Sequence, residues 1–313
     1  DLALAHIEKA LEINPRLQGG RLQKGMALWK LQRLPESVQE LEKAREEEPR
    51  NTQVIVTLGA VEFEQGQLSN ALNHLLSALQ SEPSHPDGNF YMARVKNASR
   101  DHSQAVEAIK RALETDGKNP LYRYWYGRIL ADAKRSEEAI VEFKQAIELN
   151  PKYVDALETL GRIYVERNQL KDAVEAFTKA LAVDPGRNTA RAATGDAYMK
   201  LQDWDGAIKA YIAAVEAAPE NPNLVYAYSR LASAYQEKGP KQFQKAVDWY
   251  FKATKIDPQN GEAFKNLGYL LKDLKKIKEA QNAWREYLKV TTDDEKTKKV
   301  VEDDLEDLKA EER

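Results

Sequence analysis

The chain is 313 residues long, 31% charged and 42% hydrophobic, with 47 Lys and Arg against 50 Asp and Glu and a net charge of −3. That balance argues against a general nucleic-acid binder, which is normally basic, and no apolar run approaches the length of a membrane span. Cysteine is absent, so disulfides and thiolate metal sites are excluded; this fits a reducing cytosol, with a bacterial periplasm left open.

The first predicted element is a helix over the opening residues, with Ala3, Ile7 and Ala10 on one stripe and Pro15 behind it. The chain opens at Asp1 without Met, and residues 1–17 read as the second helix of a truncated repeat. Leu2, Leu4, Ile7 and Leu11 then lack part of their cover, and weak self-association through this end is expected. From here a beat sets in. Helix-ending positions fall at Pro15, Pro49, Pro83, Gly117, Pro151, Pro185 and Pro219, each 34 residues after the last. Ala44, Ala78, Ala112, Ala146, Ala180 and Ala214 keep the same step. A fixed period of this length means stacked helical pairs. Residues 18–292 divide into eight such pairs.

Within each pair the first helix carries a small residue (Gly59, Gly127, Gly161, Gly195, Gly268), and the second carries two alanines one face apart, such as Ala173 and Ala180. Small side chains let two axes approach, and the Pro behind each second helix forbids its continuation. Phe143, Phe177, Tyr211, Tyr250 and Trp284 are expected to fill the space between neighbouring pairs. One pair is longer: Pro219 to Pro258 spans 39 residues, and the excess falls in turns near residues 222–224 and 239–241, where insertions are cheap. Residues 293–313 form a last polar helix with Val300, Val301, Leu305 and Leu308 on one stripe. Its 10 acids against 5 bases give −5, which leaves the rest at +2 against the total of −3. A solvated cap that seals the last apolar face is the reading, with an acidic docking tail as the alternative.

The segment Leu160-Gly161…Tyr164…Ala173…Phe177…Ala180…Pro185, repeated as Gly195…Tyr198…Ala207…Tyr211…Ala214…Pro219, resembles the tetratricopeptide repeat. The resemblance covers nearly the whole chain. It implies an all-α, right-handed superhelical solenoid of helix-turn-helix repeats with a C-terminal capping helix, and a role in protein–protein contact.

Chemistry-bearing patterns are scarce. There is no Gly-rich phosphate loop, nucleophile elbow or His-Glu-x-x-His helix. His6 and His74 sit two units apart, too far to share a metal, while His85 and His102 read as solvated turn residues. The carboxylates Glu46, Glu47 and Glu48 read as solvated surface. Neither catalytic, cofactor nor metal-binding residues are assigned, and no enzyme is expected.

The resemblance places the first helices along a concave groove, where the residue after each small position faces outward. That row is Met26, Ala60, Arg94, Arg128, Arg162, Asp196, Ser233 and Tyr269. Three consecutive units thus present Arg, with Glu158, Glu166 and Asp132 near enough to neutralise it. One turn earlier stand Phe90 and Tyr124, expected on the groove side without a packing duty, with Tyr91 and Trp125 beside them; one turn later stands Asn97. Tyr126 aligns with Leu58 and Leu160 and is assigned to the core. Arg with aromatic rings is a composition enriched in binding hot spots, so Phe90, Arg94, Asn97, Tyr124, Trp125, Arg128 and Arg162 are the candidate partner-binding residues. The Lys and Asn with which some of these domains clamp a chaperone's terminal carboxylate are replaced here by Phe90, Tyr124 or Glu158 and by Arg94, Arg128 or Arg162. A different peptide, acidic with an aromatic or aliphatic anchor, is the expected ligand, and a scaffold or adaptor in a multiprotein assembly the expected role. Two alternatives stand beside it: a regulatory or substrate-recruiting module of a larger enzyme, and a self-assembling structural scaffold.

Overall fold

The computed structural model describes residues 2–219, 221 and 225–311, with side chains of the final helix as far as Leu308. The expected extra turn residues 222–224 lie outside the described residues. Among those described there are helices and turns and no strand, and no helix is long and apolar enough to cross a membrane. The chain forms two compact units, residues 1–151 and 152–313.

In the first unit α1 (Leu2–Ile13) precedes four antiparallel pairs: α2 (Gly20–Lys30) with α3 (Leu34–Glu47), α4 (Thr52–Glu64) with α5 (Leu68–Ser81), α6 (Pro86–Ala98) with α7 (His102–Thr115), and α8 (Pro120–Asp132) with α9 (Ser136–Leu149). The second unit pairs α10 (Val154–Glu166) with α11 (Leu170–Val183), α12 (Asn188–Lys200) with α13 (Trp204–Ala217), α14 (Val225–Glu237) with α15 (Phe243–Ile256), and α16 (Gly261–Asp273) with α17 (Ile277–Val290), and ends in α18 (Glu295–Glu311).

Helix ends follow from local chemistry. The residue before each helix-ending proline is crowded out of the helical region: Glu48, Glu82, Asn150 and Asp184 have φ between −129° and −138°, and each still donates its N–H to the carbonyl of an alanine on the beat. First helices end differently. Gln32, Arg100, Lys134, Asn168 and Gln202 all adopt φ near +60°, in step with Gly66 at φ 79°. The Lys134 N–H bonds to the Ala131 carbonyl and the Arg135 N–H to the Leu130 carbonyl, the double closure that a left-handed residue permits after a helix. The turn from α14 to α15 replaces this with Gly239 (φ 111°) and a 3-10 turn at Pro240–Gln242.

The aromatic row has a further duty. Phe143, Phe177, Tyr211 and Trp284 each lie on the glycine of their own pair. A Cβ on Gly127 would sit 3.0 Å from the Phe143 ring, and one on Gly161 2.6 Å from Phe177. The glycine is the seat of a ring, and the alanines, fully buried at Ala173, Ala180, Ala207 and Ala214, carry the close approach of the helices. On α18, Val301, Leu305 and Leu308 are buried, whereas Val300 is 52% exposed and lies off the sealing stripe.

Candidate functional site

First helices of the first unit present three residue rows at the repeat spacing. One row holds Trp29, Phe63 and Asn97, the next Tyr91 and Trp125, the third Arg94 and Arg128. Along one helix the rows follow at three-residue steps, as in Tyr91, Arg94 and Asn97, so they share one face of each helix.

Arg94 sits inside this array. Its guanidinium carbon lies 4.5 Å from the Trp125 ring centre, 4.7 Å from Phe63, 5.3 Å from Tyr91 and 5.7 Å from Phe90. Its charge is met by Glu64, Nη1 to Oε1 3.8 Å, and its side chain is 16% exposed. The Nε is buried without a hydrogen-bond partner. Burial pulls the guanidinium below its ordinary pKa, opposed by Tyr91 and Glu64; burial likewise pushes the Tyr91 hydroxyl up to about 12. Glu64 also accepts from Trp29 Nε1 at 2.5 Å, and the Trp29 and Tyr91 rings lie 6.0 Å apart. Arg128 differs. It is exposed, its guanidinium carbon lies 4.9 Å from the same Trp125 ring, and among the described residues no carboxylate pairs with it. Trp125, half-buried, therefore carries two cations, one enclosed and one free.

The remaining candidates divide. Phe90 is 2% exposed, stacked on Tyr122 at 4.9 Å, whose hydroxyl donates to Asp87 at 2.6 Å. Tyr124 is 9% exposed, 5.8 Å from Phe143. Both rings have a packing duty, contrary to the reading from sequence. The reason is angular: four residues before Arg94 or Arg128 the helix turns toward its neighbours, whereas three residues before it turns toward the open side, where Tyr91 and Trp125 lie. Asn97 ties adjacent repeats, donating to Asp132 Oδ2 at 2.7 Å and facing His102 Nδ1 with its Oδ1 at 3.0 Å. Trp29 and Phe63 were missed. The signal was present, because the row through Asn97 leads back to both in steps of 34.

Arg162 belongs to the second unit, where its side chain is 60% exposed and bonds Glu158 at 2.9 Å. Next in its row, Asp196 accepts from the Tyr211 hydroxyl at 2.5 Å and the Tyr226 hydroxyl at 3.4 Å. Burial raises the Asp196 pKa, with the two phenols opposing.

Two histidines also depart from expectation. His85 is 7% exposed, and its Nδ1 accepts the Gly88 N–H at 3.1 Å, capping α6; it is not solvated. His74 lies with Glu42 and Glu62, one donor atom of each within 4.8 Å of the others, but Arg45 stands against its second nitrogen.

The tetratricopeptide repeat family profile matches residues 22–89, 92–154 and 158–222, more than half of the chain. The chain is a tetratricopeptide repeat protein. Solved structures agree on the fold. The C-terminal part of a repeat-containing protein from Cytophaga hutchinsonii superposes with a TM-score of 0.68 at 15% identity, covering 77% of this chain and 97% of that one. The pilF protein of Pseudomonas aeruginosa gives 0.55 at 22%, covering 67% and 95%. YrrB, described as a tetratricopeptide repeat protein with an unusual peptide-binding site, gives 0.50 at 20%, covering 60% and 96%. A search of curated protein sequences finds no match. Tetratricopeptide repeats form protein-interaction scaffolds, and in this one the first helices carry the arginine and aromatic rows.

Proposed function

We propose that the first-helix face of the first unit binds a short segment of a partner protein, and that the chain serves as a scaffold or adaptor in a multiprotein assembly rather than as an enzyme. The observation that carries this reading is Trp125, half-buried between enclosed Arg94 and exposed, unpaired Arg128. An unpaired guanidinium beside an open ring offers a carboxylate a charged fork and an apolar residue a floor. The segment it suits is acidic with one aromatic or aliphatic anchor. The net charge of −3 makes such a patch a local attraction, not a general affinity for polyanions. Arg162 is assigned to the same role in the second unit.

The test is fluorescence anisotropy with labelled peptides that share an aliphatic anchor and carry acidic, neutral or basic flanks. The acidic series should bind tightest and weaken as salt rises, because exposed charges are screened beyond about 8–10 Å at physiological ionic strength. Arg128→Glu should remove the preference, and the reversal Lys144→Glu on a second helix should not. Equal binding of acidic and basic series would contradict the proposal.

A further inference from the structure

One second helix departs from the charge pattern of the others. Helix α15 carries Lys245 in its first turn and no acid there. Counting 34 residues per pair, and 39 across the longer one, the equivalent place elsewhere holds an acid, an amide or glycine, as in Glu36, Gln104, Glu138 and Gly206. The dipole at a helix start favours an acid and disfavours a cation, so Lys245 is not there for the helix. Trp249, one turn on, is as exceptional. Its equivalents are acids, a histidine or alanines, as in Glu40, His74 and Ala108.

Lys245, Trp249, Lys252 and Ile256 follow at steps of four, three and four, which sets them in one stripe along α15. Both lysines are exposed and Trp249 is half-buried; Ile256 is 41% exposed and Phe251, beside the stripe, 40%. The Lys252 ammonium lies 3.9 Å from the Trp249 ring centre, and that ring 6.1 Å from Tyr228. The extra turn before α15 adds Lys241. The turn between α16 and α17 lies alongside, since Lys276 Nζ donates to Gln244 Oε1 at 3.0 Å, and it brings exposed Lys275 and Lys278. Residues 238–256 hold five lysines against one aspartate, a balance of +4, and residues 272–278 hold four against one, +3, in a chain whose net charge is −3. Among the described residues no carboxylate pairs with Lys241, Lys245, Lys252, Lys275 or Lys278.

We propose that this lysine and tryptophan face of the second unit rests on an anionic lipid surface. The cations are all of one kind: no arginine lies between Arg230 and Arg285. A guanidinium fork reads the geometry of one carboxylate or phosphate, whereas an ammonium on a flexible stem is a hydrated point charge suited to the spread field of lipid headgroups. Indole and phenyl rings settle at headgroup level, with aliphatic side chains just below. The opposite face of α15 is already occupied, with Ala246, Val247, Tyr250 and Ala253 buried. The helix therefore keeps its place in the stack and only the tips of the exposed side chains enter the lipid. A nucleic-acid duplex would also attract the lysines, but it offers Phe251 and Ile256 no apolar medium.

The test is flotation of the whole chain with vesicles of phosphatidylcholine alone, or of phosphatidylcholine with about one-third phosphatidylserine. Association with the second kind alone is expected, lost as salt rises. Brominated phosphatidylcholine in those vesicles should quench tryptophan emission, and Trp249→Phe should abolish the quenching. Lys245→Glu combined with Lys252→Glu should weaken association about tenfold or more, and Lys110→Glu on α7 should not. The change at Lys245 places an acid where a helix start favours one, so lost binding would not report unfolding. Equal association with both vesicles, association that survives the double reversal, quenching that persists in Trp249→Phe, or salt-sensitive binding to a DNA duplex with none to vesicles would each overturn the proposal.

Discussion

Arg94 and Arg128 occupy the same position one period apart, yet their surroundings give them different work. Arg94 is enclosed by four rings and Glu64, so Arg94→Ala loses packing as well as charge and should cost about 1–3 kcal/mol of stability. Arg128→Ala removes a side chain with one ring contact and should change stability by less than about 0.5 kcal/mol; thermal unfolding of the two variants distinguishes them. Tyr124→Ala should also destabilise, by about 3 kcal/mol, so any binding loss it shows is confounded by folding. In the second unit, burial holds the Asp196 pKa above its ordinary value. The folded state therefore disfavours the carboxylate, and the sign follows: this group's contribution is most favourable below the unfolded pKa and is lost as pH rises through the folded one. Asp196→Asn should raise the melting temperature at pH 7, and the gain should vanish near pH 3. The Arg row was legible in sequence because a period is countable. Which neighbours enclose each Arg was not, because positions three and four residues away in sequence point to opposite sides of the same side chain.

At the scale of elements, two recurring devices set the repeat. The first is a glycine seated under a ring. Because a Cβ at Gly161 would meet Phe177 at 2.6 Å, Gly161→Ala should cost about 1–2 kcal/mol, overpacking outweighing the gain in helix propensity. The damage should concentrate in α10 and α11, readable by hydrogen exchange. The second is the left-handed residue that ends first helices. Lys134, at φ 62°, bears a strain that Gly66 at the equivalent place does not. Lys134→Gly should stabilise by about 0.5 kcal/mol, and Gly66→Ala should destabilise by about 1 kcal/mol, measured as denaturant midpoints. The glycine row was visible in the sequence, but the ring that each glycine seats was not. Ring and glycine lie in one pair, and a pattern repeated in every pair cannot say which copy touches which. The left-handed positions left no mark, since Gln, Arg, Lys and Asn occupy them as readily as glycine.

At the scale of the whole molecule, each unit is built by stacking, so effects should stay close to where they begin. The helix α18 buries Val301, Leu305 and Leu308, and Asp304 accepts from Lys272 at 2.7 Å and from the Tyr269 hydroxyl at 3.3 Å. Removing residues 293–313 forfeits about 1.5–3 kcal/mol for each such side chain, and protection should fall first in residues 261–290. Unchanged exchange there would contradict a sealing role. The family and the cap stripe were legible because periodicity and amphipathic spacing are written in the chain. The division at residue 151 and the Glu62–His74–Arg45 cluster were not. The cluster joins three helices at positions that are unremarkable one at a time. The central claim, that the first-helix face of the first unit receives an acidic segment, is tested most directly through the 5 tryptophans. Their indole NMR resonances would be followed as an acidic, aliphatic-anchored peptide is titrated in. Trp125 and Trp29 should shift together in proportion to occupancy, while Trp249 and fully buried Trp284 stay fixed. A titration that moves Trp249 and leaves Trp125 unchanged would place the contact elsewhere and contradict the account.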